Sequence, residues 1–410
     1  MRGAMKKRLS VPHTGVFAFG ATLTVIVLAI VVFVFLPADG GTSARRVVVY
    51  QRGSWIYFTP LNGVEPLRVG TPRRLAQGVG PSVSPDGRLV LFWDRSSLLQ
   101  YNYSGRPTPA PLYLISSNGG RPEVLSDTAT DGFWSPDSRH IAVEAPGKSG
   151  WSELLIVDAH SGKVEKTIKA YEGAASFTPD SKSLVYVGFK PGYKKDVKGS
   201  EILVVDLRSG QIRRIADLNF DLLSTSESGL TLSPDSSHVA YIGESAVRGG
   251  RDIFVVDLRS GQTRRITRVG DVERVLWGPK QIALTQSDSA GIWLISPAGG
   301  RMRLLGARSE ASSYSDGYPD RWLRDGQLLL TDSDPRLQLL IDVVRAKTIA
   351  TFDLSATGVT AGFTISFDGR LALTDTCGED ETSGSIGVTQ LGPPERETPI
   401  AKGCNASWNN

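Results

Sequence analysis

The chain has 410 residues, of which 40% are apolar and 21% charged, a composition typical of a folded protein and not of a disordered one. Its 46 basic residues exceed the 42 acidic ones by four, and four basic residues lie within the first eight positions, so the remainder is neutral. A neutral body gives no electrostatic reason to expect a nucleic-acid partner.

The first 45 residues form a unit separate from the rest of the chain. Gly15–Leu36 carries no charge over 22 residues, which is enough to cross a bilayer as a helix. The basic residues before it, with none just after it, place the N-terminus in the cytoplasm. We predict a cytoplasmic tail over 1–14, a transmembrane anchor over 15–36 and a linker over 37–45. The protein is then a single-pass protein of the cell membrane, with residues 46–410 periplasmic or extracellular.

A cleaved signal peptide is the alternative interpretation of this segment. Its apolar core would be unusually long, and neither a nearby A-x-A cleavage site nor a lipobox cysteine follows it. The uncleaved anchor is therefore the interpretation that we carry forward.

From residue 46 onward the chain repeats a unit of roughly 45 residues. In each unit a bulky residue precedes a turn, and its successive positions are Val83, Trp134, Phe177, Leu232, Trp277, Trp322, Ile365 and Trp408. The turns that follow read SPDG, SPDS or TPDS at Ser84, Ser135, Thr178 and Ser233, and looser variants elsewhere. Apolar runs rich in β-branched residues come next, such as Val239–Ile242 and Ile253–Val256, and they are typical of strands.

These turns and strands resemble the TolB-like propeller-repeat family over residues 46–410, because SPDG before a strand is that family's hallmark. The resemblance implies an all-β propeller of four-stranded antiparallel blades, and it is nearly silent on function. TolB itself carries an additional domain that this sequence lacks, so the TolB partner interactions are not carried over.

The body begins in the middle of a blade. Val47–Tyr50, Trp55–Thr59 and Arg74–Ala76 are predicted to be the second, third and fourth strands of blade one. The missing inner strand is supplied by Asn405–Trp408, which closes the ring and removes its exposed edges. This count gives eight blades, and seven is the alternative if Gln327–Phe352 is irregular.

Two cysteines occur, Cys377 and Cys404. In an oxidising compartment such a pair is typical of a disulfide. Blade topology places one in a second-to-third-strand loop and the other at the start of the closing strand, on the same face of the ring. We therefore predict a bridge that staples the closure, and two free thiols are the alternative.

No catalytic constellation stands out. His140 and His238 open equivalent strands two blades apart, so they cannot converge on a metal ion. The aspartates at 86, 137, 180 and 235 recur at one turn position, which favours a structural role. No G-x-S-x-G motif of a serine hydrolase is present. The sequence thus predicts no catalytic residue, no metal site and no cofactor.

The loops on the face opposite the SPD turns vary in length and content, and binding residues concentrate in such loops on rigid scaffolds. They combine tyrosine with basic residues, which suits an anionic or glycan ligand. The candidate binding residues are Tyr101, Tyr103, Arg106, Lys190, Tyr193, Lys194, Lys195, Lys198 and Arg248. Solvated loops of uneven length are the alternative. On the SPD-turn side, arginines of the hairpins Arg208–Arg214 and Arg259–Arg265 either meet anionic headgroups or lie on exposed strand faces.

We therefore expect a membrane-anchored, monomeric propeller that acts as a binding or assembly module for a protein or a cell-envelope glycan. An enzyme that acts on glycans or peptides at the central channel is the alternative. The linker Pro37–Arg46 spans at most about 35 Å, so the face with the SPD turns should lie toward the bilayer.

Overall fold

The computed structural model describes the chain in segments, and these are residues 46–63, 67–95, 108–147, 152–170, 174–189, 200–218, 230–244, 250–287, 289–305, 318–323, 326–331, 337–353, 360–366, 370–377, 384–390, 396–402 and 404–408. Over these segments, 33 strands form eight antiparallel sheets, each the blade of a propeller. The strands of a blade are consecutive in the chain except in blade 1, where the last strand of the chain joins the first ones.

The strands are numbered in chain order and occupy equivalent places in the blades. The inner strands of blades 1 to 8 are β33 (Cys404–Trp408), β5 (Val79–Val83), β9 (Asp131–Trp134), β13 (Ala175–Phe177), β17 (Leu230–Leu232), β21 (Val272–Trp277), β25 (Tyr318–Trp322) and β29 (Thr360–Ile365). The second strands are β1 (Arg46–Arg52), β6 (Leu89–Trp93), β10 (His140–Pro146), β14 (Ser183–Phe189), β18 (His238–Glu244), β22 (Ile282–Gln286), β26 (Gln327–Thr331) and β30 (Leu371–Cys377).

The third strands are β2 (Trp55–Asn62), β7 (Ala110–Ser116), β11 (Ser152–Asp158), β15 (Ser200–Asp206), β19 (Arg251–Asp257), β23 (Ser289–Ile295), β27 (Leu337–Asp342) and β31 (Ser385–Gln390). The outer strands are β4 (Arg73–Gln77), β8 (Glu123–Ala129), β12 (Val164–Ala170), β16 (Ile212–Leu218), β20 (Thr263–Arg265), β24 (Arg303–Leu304), β28 (Lys347–Asp353) and β32 (Arg396–Lys402). In blade 1 the short strand β3 (Arg68–Val69) also pairs with β2.

Blade 1 is closed by the end of the chain, as predicted. In antiparallel register, Val48 lies opposite Trp408 and Val49 opposite Ser407. The Ser407 hydroxyl also accepts a hydrogen bond from the backbone N–H of Val83 in blade 2 at 3.2 Å. The closing strand therefore bonds both β1 of its own blade and the inner strand of blade 2. Blade 7 has its four strands β25 to β28 in regular order. The eight-bladed prediction is therefore confirmed, and the seven-bladed alternative is wrong.

The core lies between blades, because each strand sends alternate side chains to opposite neighbours. In β10, Ile141 and Val143 pack with Leu112 of blade 2, whereas Ala142 packs with Phe177 of blade 4. Both faces of the second strands are thus buried, which explains their nearly continuous apolar sequences.

Two predictions depend on residues that the structure does not describe. Gly15–Leu36 lies outside the described segments, so the transmembrane anchor stays a prediction. In the part of the chain that is described, no helix is long and apolar enough to cross a membrane. The backbones of Cys377 and Cys404 end β30 and begin β33, but their side chains and that of Trp408 lie outside the description. The disulfide therefore also stays a prediction.

Candidate functional site

The ring has two different faces. The turn face carries the first-to-second-strand turns, which begin at Ser84, Ser135, Thr178 and Ser233 in blades 2 to 5, together with the hairpins between third and outer strands. The loop face carries the second-to-third-strand loops and the connections from one blade to the next.

The repeated aspartates of the turn face close their own turns. In blade 3 the Ser135 hydroxyl donates to Oδ1 of Asp137 at 2.7 Å, and the backbone N–H of Arg139 donates to the same oxygen at 3.1 Å. In blade 4, burial alone would raise the pKa of the Asp180 carboxyl. Hydrogen bonds from Thr178 and from the backbone of Lys182 outweigh it and hold that pKa below its usual range. The structural role predicted for these aspartates is confirmed.

The serine that ends each SPDS or TPDS turn joins neighbouring blades. Ser138 accepts the backbone N–H of Asp86 at 3.0 Å, and Ser181 accepts that of Asp137 at 3.0 Å. Ser236 accepts that of Asp180 at 3.2 Å. These serines have φ values of 64°, 55° and 60°, in the left-handed region that favours glycine. Serine occupies this strained backbone position because its hydroxyl accepts a hydrogen bond from the preceding blade. Sequence analysis missed this role.

Replacing Ser181 tests this link. We expect Ser181→Ala to destabilise the ring by about 1 kcal/mol, because it loses the bond to Asp137 and keeps the left-handed backbone. Ser181→Gly should cost less, since glycine removes the backbone strain. Urea unfolding of the soluble protein, residues 45–410, measures both variants. A Ser181→Ala protein as stable as the parent would show that the hydroxyl does not hold the blades together.

On the turn face, basic side chains of the outer strands donate hydrogen bonds to backbone carbonyls of the next blade. Arg213 donates to the carbonyls of Leu258 at 2.6 Å and Arg259 at 3.2 Å, and Arg264 donates to that of Pro297 at 2.8 Å. The same contact is made by Arg303 to Val343, by Arg73 to Ser117 and by Lys166 to Gly210. Arg213 and Arg264 are exposed, as in the alternative that places the hairpin arginines on exposed strand faces. Their guanidinium groups are hydrogen-bonded to backbone carbonyls of the next blade.

The nine predicted binding residues lie outside the described segments, but the strands around them place their loops. Residues 96–107 connect β6 to β7, residues 190–199 connect β14 to β15, and residues 245–249 connect β18 to β19. All three segments join a second strand to a third strand. The described strand ends that flank them lie on the loop face, in blades 2, 4 and 5.

A buried carboxylate fixes part of the loop face beside these loops. Asp252 is fully buried and accepts hydrogen bonds from Arg265 Nη2 at 2.6 Å, Thr267 Oγ1 at 2.9 Å and the backbone N–H groups of Val269 and Gly270 at 2.9 and 3.3 Å. These bonds hold the connection from blade 5 to blade 6. Sequence analysis missed Asp252, which lies just before the apolar run of β19 and belongs to no motif.

A group of charged residues lies on the inner strands of blades 6 and 7, which line the central channel of a propeller. Arg274 is in β21, and Asp320 and Arg321 are in β25. In the pairing with β26, Pro319 and Arg321 lie opposite successive residues, so Asp320 is the extra residue of a β-bulge. Bulges often re-aim a side chain at a functional site.

Burial and charge act together on this group. Burial raises the pKa of the Asp320 carboxyl above its usual range, against the opposing charges of Arg321 and Arg274. Burial also lowers the pKa of the Arg321 guanidinium, and Asp320 opposes that effect. Arg321 Nη1 donates to the carbonyl of Ile365 in blade 8 at 3.1 Å. A perturbed carboxyl in a channel is a candidate functional group, and no sequence motif marked it.

His140 and His238 lie elsewhere, each beside a carboxylate of its own blade. His140 Nε2 is 3.5 Å from a carboxylate oxygen of Glu165, and His238 Nε2 is 3.7 Å from one of Asp257. In the segments with assigned positions, no three histidine, cysteine, aspartate or glutamate side chains are grouped so that they could hold a metal ion.

The chain matches no known protein-family model. It is 27% identical over 178 residues to YuxL, an uncharacterized peptidase of Bacillus subtilis strain 168, and the match covers 33% of this chain and 25% of YuxL. This chain therefore spans about a quarter of that relative.

Solved structures share the fold. NirN, a dihydro-heme d1 dehydrogenase in complex with DHE, aligns with a TM-score of 0.56 at 20% identity over 90% of this chain and 77% of its own. Dipeptidyl peptidase 4 from Porphyromonas gingivalis aligns with a TM-score of 0.52 at 13% identity, over 85% of this chain and 58% of its own. At these identities the likeness shows the propeller fold alone.

Proposed function

We propose that this chain is a membrane-anchored, extracytoplasmic propeller of the TolB-like repeat type that binds a protein or a cell-envelope glycan through its loop face. The observation that carries the proposal is the difference between the two faces. Serines and basic residues that recur on the turn face are engaged in bonds between blades. The strand ends that flank the long, uneven connections, whose sequences contain the tyrosines and lysines, lie instead on the loop face.

The anchor supports the same orientation. Gly15–Leu36 is long enough to span a bilayer, and the linker Pro37–Arg46 reaches at most about 35 Å. The linker enters β1, a second strand, which starts on the turn face. The turn face then lies toward the membrane, and the loop face points away from it toward partners.

The alternative is a propeller enzyme that acts on glycans or peptides in the channel. The observation that favours it is Asp320, whose pKa burial raises, since such a carboxyl can serve as a general acid. The peptidase names of similar proteins belong to longer chains and leave the activity of this chain open. Turnover of an envelope substrate by the soluble ring, lost in Asp320→Asn, would decide for the enzyme.

Capture from a cell-envelope fraction tests the binding role. Immobilised residues 45–410 should retain a protein or glycan, and the triple variant Tyr193→Ala, Lys194→Ala, Lys195→Ala should bind it at least about tenfold more weakly, because a few aromatic and basic residues dominate most interfaces. The matched control is Arg213→Ala with Arg264→Ala on the turn face, which should bind like the parent. The opposite pattern would assign binding to the turn face.

A further inference from the structure

We propose that the turn face docks on the lipid bilayer at blades 6 and 7, where an apolar hairpin tip enters the lipid and exposed cations meet anionic headgroups. The contact consists of Lys280, Arg301, Val344 and Lys347, and we call these residues the 6–7 tips. The inference rests on the proposed function, which turns this face toward the membrane, and it adds the chemistry of the lipid that the face meets.

Val344 is the most exposed large apolar residue in the part of the chain that the structure describes. Its exposed fraction is 90%, against 38% to 49% for the other exposed ones. It lies at the tip of the hairpin between β27 and β28, two residues after the aspartate that ends β27. The equivalent residue is His160, Arg208 or Arg259 in blades 3 to 5. Single exposed valines are common, so the argument depends on the surroundings of this one.

The hairpin around Val344 is held in a fixed shape. The Asp342 carboxylate accepts the backbone N–H groups of Val344 at 3.0 Å and of Arg345 at 2.9 Å, and the Arg345 guanidinium lies 2.7 Å from it. Arg303 of blade 6 donates to the carbonyl of Val343 at 3.1 Å, so the hairpin lies beside blade 6. A tip that is already ordered loses little conformational entropy when it enters a membrane.

Exposed cations lie on the turns and hairpins of the same two blades. Lys280 is in the first-to-second-strand turn of blade 6, Arg301 is in the hairpin of that blade, and Lys347 follows the hairpin of blade 7. None of the three forms an ion pair with a residue that the structure describes. In blade 4, by contrast, the turn cation Lys182 lies 3.4 Å from Asp180. The turn and the hairpin of blade 6 contain no acidic residue, so their charges are available to a ligand.

An apolar side chain with basic residues beside it suits the interface of a bilayer. The apolar group enters the boundary between headgroups and acyl chains, and long basic side chains reach the phosphates. Burial of the Val344 side chain and attraction of the three cations to an anionic surface add together. The linker Pro37–Arg46 would keep this face within about 35 Å of the bilayer, so a weak contact is enough to dock it.

Photo-crosslinking of the full-length protein in vesicles tests the inference. An apolar photo-crosslinking residue replaces Val344, and the vesicles contain phosphatidylcholine alone or equal parts of phosphatidylcholine and phosphatidylglycerol. We expect lipid adducts in the mixed vesicles and at least about fivefold fewer in phosphatidylcholine, where the cations lose their attraction. The matched control places the probe at Val269, an exposed valine on the connection from blade 5 to blade 6 on the loop face, and should give no lipid adduct.

Charge variants separate lipid contact from folding. With the probe at position 344, the triple variant Lys280→Gln, Arg301→Gln, Lys347→Gln should give at least about tenfold fewer adducts in the mixed vesicles and keep the parent melting temperature. The matched change Arg268→Gln, on the loop face, should leave the yield unchanged. Absence of lipid adducts at 344, adducts with a second copy of the chain in place of lipid, or equal yields in both kinds of vesicle or in the triple variant would overturn the inference.

The same vesicles test the anchor separately. An alkaline wash, applied after the crosslinks have been counted, should leave the protein in the membrane if Gly15–Leu36 spans it. Protein that is washed away would contradict the anchor, whatever the yield of adducts at position 344. Protein that stays without adducts would contradict the docking contact alone, so the two proposals can fail separately.

Discussion

Ending the chain after Gly403 is expected to unfold the whole ring, because β33 is the inner strand of blade 1. Its loss unpairs the inner edge of β1 and removes the hydrogen bond that the backbone N–H of Val83 in blade 2 donates to the Ser407 hydroxyl. Each buried backbone group left without a partner costs about 1–3 kcal/mol. Several such groups together approach the total stability of a typical domain, about 5–15 kcal/mol.

Thermal unfolding of residues 45–403 and 45–410 measures this effect. The matched control ends at Trp408 and lacks only Asn409 and Asn410, so it should melt like the longer protein. A shortened ring that melts at the same temperature as the intact one would show that the C-terminal strand does not close it.

The proposed disulfide between Cys377 and Cys404 would strengthen the same closure by about 3 kcal/mol. Thiol titration of the unfolded protein without reductant should then find no free thiol. Two free thiols would contradict the disulfide, and they would not bear on the pairing of β33 with β1.

Replacing Asp252 by alanine is expected to destabilise the ring by about 3–5 kcal/mol, the cost typical of breaking a buried ion pair from one side. The variant leaves the guanidinium of Arg265 without its 2.6 Å partner, and the Thr267 hydroxyl loses a 2.9 Å bond. The loop between blades 5 and 6 loses its backbone bonds to the carboxylate as well. Urea unfolding of residues 45–410 provides the free energy of unfolding.

A double-mutant cycle provides the control for Asp252. The double variant Asp252→Ala with Arg265→Ala should lose less than the sum of the single changes, because neither charge is then left unpaired. The variant Arg264→Ala, one residue from Arg265, removes an exposed hydrogen bond to the next blade and should lower the free energy of unfolding by only about 1 kcal/mol. Additive effects of Asp252 and Arg265 would contradict a coupled buried pair.

Most of the fold can be predicted from the sequence because each blade repeats the same short sequence pattern. A bulky residue, an SPD turn and two apolar runs mark an inner strand, its turn and the next two strands in unit after unit. The closure was predictable for the same reason, since Trp408 occupies the repeat position of Trp134. Register within a repeat is a local property, so one chain is enough to predict it.

The contacts between blades were not predictable in that way. Asp252 and the charged group of Arg274, Asp320 and Arg321 depend on which residues come together in the folded ring, and the bulge at Asp320 depends on how β25 pairs with β26. The basic residues that bond the next blade could have been recognised from the sequence. Arg213, Arg264 and Arg303 each stand two residues before a buried residue of the outer edge of their blade, a recurrence that marks them as structural.

We propose that the loop face meets partners while the turn face lies toward the membrane. The most direct test places a photo-crosslinking residue at Tyr193, in the loop of blade 4, or at Gln211, in the hairpin of the same blade, in the full-length protein in cells. We expect the probe at Tyr193 to capture an envelope partner and no lipid, and the probe at Gln211 to capture lipid and no partner. Lipid capture at Tyr193 with partner capture at Gln211 would contradict it.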